Sequence, residues 1–313
     1  MPSLHYAGTN IGIWLATAAM LIFSVCSLSI SVASRKLDTD AGALLGAAVT
    51  VPLGVLVAAG QFLAGRELTA PSAYGIGAFI VAGILSTYLG RWLLFKSIET
   101  IGPTRSAAFM TCSPLVTAFI GWAWLGQHLD KVSLAGMVIA VSGLLIMSQG
   151  RAVATGAASR GARAIAGSSL AIGMGSTVAY AVSHVFRGAA VREWNEPVVG
   201  ATLGAAAGLA VLVFVSRRRL AVNRARIAEQ RGSAWLYCAV GAMQLAAQVL
   251  MIASMAHIPV AITTLIATCT PLVVMPISVI FMRNVEQIRP ATVAGVIATV
   301  SGVLLAAVFS GAR

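Results

Sequence analysis

The chain has 313 residues, 58% of them hydrophobic and only 10% charged, with a formal charge of +12 and a mean hydropathy of +0.91. So few charges exclude a soluble globular protein, in which roughly a quarter of residues are charged. The surplus of Lys and Arg belongs to loops that face anionic lipid, and no basic run is interleaved with aromatics as a nucleic-acid binder requires, so the expected partners are the lipid bilayer and a small molecule, with no nucleic acid.

Met1 to Asn10 lacks a basic leader, and the apolar run behind it is of spanning length, which predicts a first transmembrane helix rather than a cleaved signal. Apolar runs fall at about 11–33, 41–64, 72–97, 103–126, 132–149, 166–190, 197–216, 233–256, 259–282 and 290–310. Each is near the roughly 20 residues that a spanning helix needs, so the expectation is an all-α integral membrane protein of ten transmembrane helices. Most connections are short, as at Gly65-Arg66-Glu67 and His257-Ile258-Pro259, and leave no room for a soluble domain. The longer ones are Gly150 to Ile165, read as the joint between two halves, and Arg217 to Arg231. Cys26, Cys112, Cys238 and Cys269 all fall inside apolar runs without CxxC or His/Cys ligand spacing. That pattern predicts free thiols packed as small hydrophobes, with no metal and no cofactor.

Thr111-Cys112-Ser113-Pro114-Leu115-Val116 returns 157 residues later as Thr268-Cys269-Thr270-Pro271-Leu272-Val273. Ser97, Ile101 and Ile120 meet Ser254, Ile258 and Ile277 at the same offset. With a gap of two residues, Ala135-Gly136 meets Ala294-Gly295 and Val141-Ser142-Gly143 meets Val300-Ser301-Gly302. Gly42-x-x-x-Gly46 matches Gly200-x-x-x-Gly204 at an offset of 158, a small-residue spacing that lets helix backbones approach closely in lipid. A period this long means two half-domains, residues 1–150 and 166–313. Five helices per half is an odd number, so the second repeat enters the membrane upside down, as in many secondary transporters whose substrate site lies where the halves meet.

Of the 21 Lys and Arg, 15 lie in loops 1–2, 3–4, 5–6, 7–8 and 9–10. The positive-inside rule makes that side cytoplasmic and puts both termini outside.

The ten-helix plan, the two halves and the run Phe95-Lys96-Ser97-Ile98, Gly102-Pro103, Arg105-Ser106-Ala107, Ser113-Pro114-Leu115 and Gly136, repeated at Pro271 and Gly295, resemble the EamA family of the drug/metabolite transporter superfamily. The resemblance covers nearly the whole chain and implies export or exchange of amino acids, other small metabolites or nucleotide sugars. Two features depart from it. Gly126-Gln127 and Arg283-Asn284 stand where such proteins usually have Gly-Glu, and some relatives place both termini in the cytoplasm.

All nine acidic residues sit at helix ends or in loops, which disfavours proton antiport through a buried carboxylate and leaves facilitated exchange, or coupling through His184. Arg91 lies two thirds of the way along helix three, where a charge needs a cavity or a partner. It reads either as a clamp for a carboxylate or phosphate, or as a side chain snorkelling from a helix that ends near Gly90. At the repeat offset Arg91 meets Gln248 and Thr87 meets Gln244, and the two glutamines share one helix face. With Tyr88, these residues are the expected substrate-binding set, joined by Tyr180 and His184, which form a stripe with Arg187 on helix six. Arg187 itself is read as an interface anchor in preference to an anion attractor. Trp14, Trp122 and Trp124 read as interfacial belt residues. Pro114 and Pro271, inside helices four and nine, are expected to bend them and to act as paired hinges.

The expectation is therefore an inner-membrane secondary transporter, monomeric or homodimeric. It would export or exchange a small polar metabolite, with an amino acid or other carboxylate as the best fit, by rocking two inverted repeats. Efflux of lipophilic cations is an alternative that the lack of intramembrane acids opposes. An integral-membrane enzyme is a further one, opposed by the lack of clustered ligands or of a nucleophile with a base.

Overall fold

In the computed structural model, residues 2–37, 39–67, 69–101, 103–127, 129–154, 167–217, 227, 229–281 and 290–309 are described. Most of the two longer connections, and the pair Arg283-Asn284, lie outside them. The described residues form helices α1 (Pro2–Ala33), α2 (Thr39–Leu63), α3 (Ala73–Ile84), α4 (Arg91–Ile101), α5 (Pro103–Thr111), α6 (Ser113–Leu125) and α7 (Lys131–Ala154), followed by α8 (Gly167–Glu193), α9 (Pro197–Ser216), α10 (Arg231–His257), α11 (Val260–Thr268), α12 (Thr270–Phe281) and α13 (Pro290–Phe309). A π-helical turn, Leu85–Gly90, joins α3 to α4. The pairs α3/α4, α5/α6 and α11/α12 are each one span, so ten spans result and the protein is an all-α membrane protein.

Six of these helical stretches are long and apolar enough to cross a bilayer, and three more are shorter apolar helices. Helix α8 falls outside a hydropathy count because it carries Ser176, Thr177, Ser183, His184 and Arg187. Those side chains turn inward, whereas Leu56, Phe119, Trp14 and Leu304 stand on the outside, as a lipid-facing surface requires. Trp122 and Trp124 are exposed as well, the latter with its ring edge against Phe186 at 4.9 Å.

Small residues set how closely the spans approach. A Cβ on Gly136 would stand 2.7 Å from the Gly302 carbonyl, and one on Gly143 would stand 2.6 Å from the Gly295 carbonyl. Helices α7 and α13 therefore touch backbone to backbone and run antiparallel. Because Gly136 is the repeat equivalent of Gly295, and Gly143 of Gly302, this contact is its own image, as at a two-fold axis. The same relation holds elsewhere. Gly42 meets the ring of Tyr237 while Gly200 meets the ring of Phe79, and Gly46 faces Gly241 while Gly204 faces Gly83. Ser97 and Ser106 share a hydrogen bond of 2.7 Å, and Ser254 and Thr263 share one of 3.1 Å. In lipid, where hydrophobicity drives no association between helices, such close packing and hydroxyl bonding hold the bundle together.

The structure corrects the picture of Pro114 and Pro271 as mid-helix kinks. Each span breaks into two helices at the preceding cysteine, where Cys112 N–H donates to Phe109 O and Cys269 N–H to Ile266 O, both at 3.0 Å. Pro114 then occupies the first turn of α6, where a missing N–H costs nothing. Pro271 is likewise the second residue of α12. Thr111 and Thr268 donate to the carbonyls of Ala107 and Thr264, at 2.9 and 2.7 Å. At the far end of α6, Gly126 adopts a left-handed φ of 61°, and its neighbour Gln127 accepts the N–H of Val260 at 3.1 Å, tying the first half to the start of α11.

Candidate functional site

A cavity of about 430 Å³ lies between α2, the α3/α4 span, α8, α9 and α10. Its depth follows from where the lining residues sit on their helices. Ile30, Gly42, Phe95 and Tyr237 are near the ends of α1, α2, α4 and α10 that meet loops 1–2, 3–4 and 7–8, so they mark the mouth. Ser86, Arg187, Gly200, Ala201 and Gln248 lie farthest from those ends and form the floor, with Thr50 somewhat above it. Beyond the floor, Phe79, Val191, Trp194, Met251, Ile252, Met255 and Val260 pack into a buried apolar cluster that closes the opposite end.

Of the residues expected at a substrate site, Thr87, Arg91, Tyr180, Gln244 and Gln248 line this cavity, whereas Tyr88 and His184 do not. Arg91 is not a snorkelling end residue: the span continues through α4, and its half-buried guanidinium hydrogen bonds with Tyr180. Gly90 makes room for that tyrosine, because a Cβ there would stand 2.9 Å from its ring. His184 is half-buried beside Arg187, and its buried Nδ1 has no partner among the described residues.

Arg187 is the largest departure from expectation. It does not anchor α8 at an interface. It is 8% exposed, on the cavity floor, with Nη1 donating to Gln248 Oε1 at 2.6 Å and Nη2 to Ser86 Oγ at 2.9 Å. The i, i+4, i+7 spacing from Tyr180 had put it on an inward stripe, and its seven-residue separation from the cavity-lining Tyr180 was the signal to follow. Gln248, paired with Arg91 by the repeat, thus bonds the other arginine. Ser86, Thr50, Phe95 and Tyr237 also line the cavity without having been singled out.

The π turn explains how the floor is built. Just before it, the Ala82 carbonyl of α3 accepts from Leu85 N–H and also from Ser86 Oγ at 2.9 Å and Ser183 Oγ at 2.8 Å, which ties the start of the turn to α8. The equivalent helix α10 is unbroken. Before the turn, equivalent residues such as Phe79 and Tyr237, or Gly83 and Gly241, are 158 apart; after it, Ser97 and Ser254 are 157 apart. The first half thus carries one extra residue, and the π turn is where it is accommodated.

Residues 10–149 match the EamA-like transporter family. Over that segment, a little under half of its length, the chain is similar to that family. It is also 31% identical over 94 residues to a protein of Bacillus subtilis (strain 168) described as "uncharacterized transporter YcbK", an overlap of 29% of this chain and 28% of that one. The match thus spans under a third of that relative's length. A protein of known crystal structure superposes with a TM-score of 0.71 at 16% identity, over 98% of this chain and 99% of the other. At that identity the likeness concerns the fold. The matched segment contains Arg91 and the π turn, while Arg187 and both glutamines lie beyond it.

Proposed function

We propose that the protein is a secondary transporter that exports or exchanges a small carboxylate-bearing metabolite, an amino acid or other organic acid, across the inner membrane. The observation that carries this reading is the polar cavity at the pseudo-two-fold axis, with two guanidinium groups and no carboxylate among its described lining residues. Such a site attracts anions and repels lipophilic cations. The cavity opens at the end that bears most of the Lys and Arg, which the positive-inside rule assigns to the cytoplasm. Alternating access would close that mouth and open the apolar cluster at the other end, with the breaks at Cys112 and Cys269, each followed by its proline, as paired hinges.

An uptake screen with purified protein in liposomes, using labelled amino acids, organic acids and cationic dyes, tests the reading. Saturable uptake of a carboxylate, abolished in Arg91→Ala while the variant still elutes as a folded species, is the expected result. Uptake of cationic dyes alone would overturn it.

A further inference from the structure

We propose that the cavity takes a linear dicarboxylate, with one carboxylate on Arg187 at the floor and the other on Arg91 halfway to the mouth. The inference rests on the transporter reading above and narrows its substrate class.

Arg187 supplies the first argument. A guanidinium has five donors, and its two side-chain bonds here go to neutral acceptors, Gln248 Oε1 and Ser86 Oγ. A cation this buried needs a compensating charge close by. None of the described lining residues is Asp or Glu, so the counter-charge comes from the ligand. Gln248, with its Oε1 occupied by Arg187, turns its amide N–H groups to the same ligand carboxylate.

Spacing supplies the second. Ser86, which holds Arg187, and Arg91 lie five residues apart on one span, across the π turn, and so stand at most about 7.5 Å apart along the axis, the rise of a regular helix. Tyr180 stands between the two cations, bonded to Arg91 and in the field of Arg187. Two anionic groups joined by a short chain reach both levels, whereas a single phosphate engages one. Leu245, Val240 and the bare faces of Gly46 and Gly204 give the chain an apolar wall. An α-amino group would find no carboxylate among the described lining residues, which places simple dicarboxylates ahead of acidic amino acids.

The test uses the full chain in liposomes with succinate, butyrate, aspartate and glycerol phosphate as probes, together with melting in detergent. Succinate is expected to be taken up saturably and to raise the melting temperature more than the other three. Arg187→Gln and Arg91→Gln should each weaken half-saturation by succinate roughly thirtyfold or more, as loss of a buried charge pair does. If Arg187→Gln fails to fold, the ranking of the four probes on the unaltered protein decides. Equal handling of butyrate and succinate overturns the dicarboxylate and leaves the carboxylate transporter standing, and a preference for aspartate overturns the placing of simple dicarboxylates ahead of acidic amino acids. A preference for glycerol phosphate overturns the two-level site. Uptake of none of them in a preparation that moves cationic dyes removes the carboxylate-transporter reading on which this inference rests.

Discussion

At the residue scale, the floor of the cavity is a short chain of donors and acceptors, from Arg187 through Ser86 to the Ala82 carbonyl, with Gln248 on the other side. Removing the Gln248 amide leaves a buried guanidinium donor unmet, at a cost of about 1–3 kcal/mol. Gln248→Leu should therefore lower thermal stability in detergent by that order and impair uptake, whereas Gln248→Glu, which supplies an internal counter-charge, should preserve the melting temperature and abolish anion uptake. Paired melting and liposome measurements read both effects. The glycine contacts give a simpler test. A Cβ on Gly83 would collide with the Gly204 backbone, so Gly83→Val should destabilise by about 1–3 kcal/mol through overpacking, visible as a lower melting temperature. In contrast Gly77→Val, where a Cβ meets nothing, should leave it unchanged. Arg91, Thr87, Gln244, Gln248 and Tyr180 were legible from sequence because a polar group in an apolar run must face something other than lipid. Arg187 was misread for a related reason: six residues from a helix end, distance from the interface alone does not say whether a long side chain reaches outward or in.

At the scale of elements, the span count and the duplication were readable because apolar length and a fixed offset survive without any knowledge of packing. The breaks inside spans were not. The Thr-Cys-x-Pro stretches signalled irregular backbone, yet a proline pattern alone does not distinguish a bent helix from two helices joined at a turn. The π turn left a fainter trace, the slip of the repeat offset from 158 to 157 between Gly83/Gly241 and Ser97/Ser254, which a single-offset comparison passes over. That slip yields a prediction. Deleting Tyr88, which does not line the cavity, should let the span close into a regular helix while Gly83 stays on Gly204 and Ser97 on Ser106. The variant is expected to fold with a melting temperature within a few degrees of the parent and to lose most of its uptake, since Ser86 and Thr87 would no longer be held by a widened turn. Deleting one residue from unbroken α10, for example Ala246, should instead throw Gly241 or Ser254 out of register and sharply reduce folded yield. Size-exclusion profiles and liposome uptake of the two deletions would separate these outcomes; retained transport after deletion of Tyr88 would show that the extra residue serves packing only.

At the scale of the molecule, the two halves are alike in contacts and unlike in charge. Both guanidinium groups of the cavity come from α4 and α8, the pair of spans that the two-fold relates to α10 and α1, where Gln248 and the uncharged pair Ser29-Ile30 stand instead. The end away from the mouth is held by more than the apolar cluster. Glu196, 1% exposed at the start of α9, accepts from the Thr69 N–H and hydroxyl at 3.0 and 3.1 Å and pairs with Arg66 at 3.4 Å, while Trp194 Nε1 donates to the Thr69 carbonyl at 3.2 Å. The loop between α2 and α3 is thereby fastened to the α8–α9 corner. Arg66 is nearly half exposed, so the ion pair adds little; the two bonds from Thr69 to a buried carboxylate carry most of the restraint. If the bundle alternates between two open states, this fastening favours the state with the mouth at loops 1–2, 3–4 and 7–8. Glu196→Ala should shift the balance by about 1.5–3 kcal/mol, the net worth of a hydrogen bond to a charged acceptor, and so raise the population open at the far end roughly tenfold or more. A cysteine at Leu53, which packs against the closing cluster, in a background with Cys26, Cys112, Cys238 and Cys269 replaced, would report it. Labelling by an impermeant thiol reagent from the α2–α3 loop side should accelerate about tenfold in Glu196→Ala, and an unchanged rate would mean that the apolar cluster alone keeps this end shut.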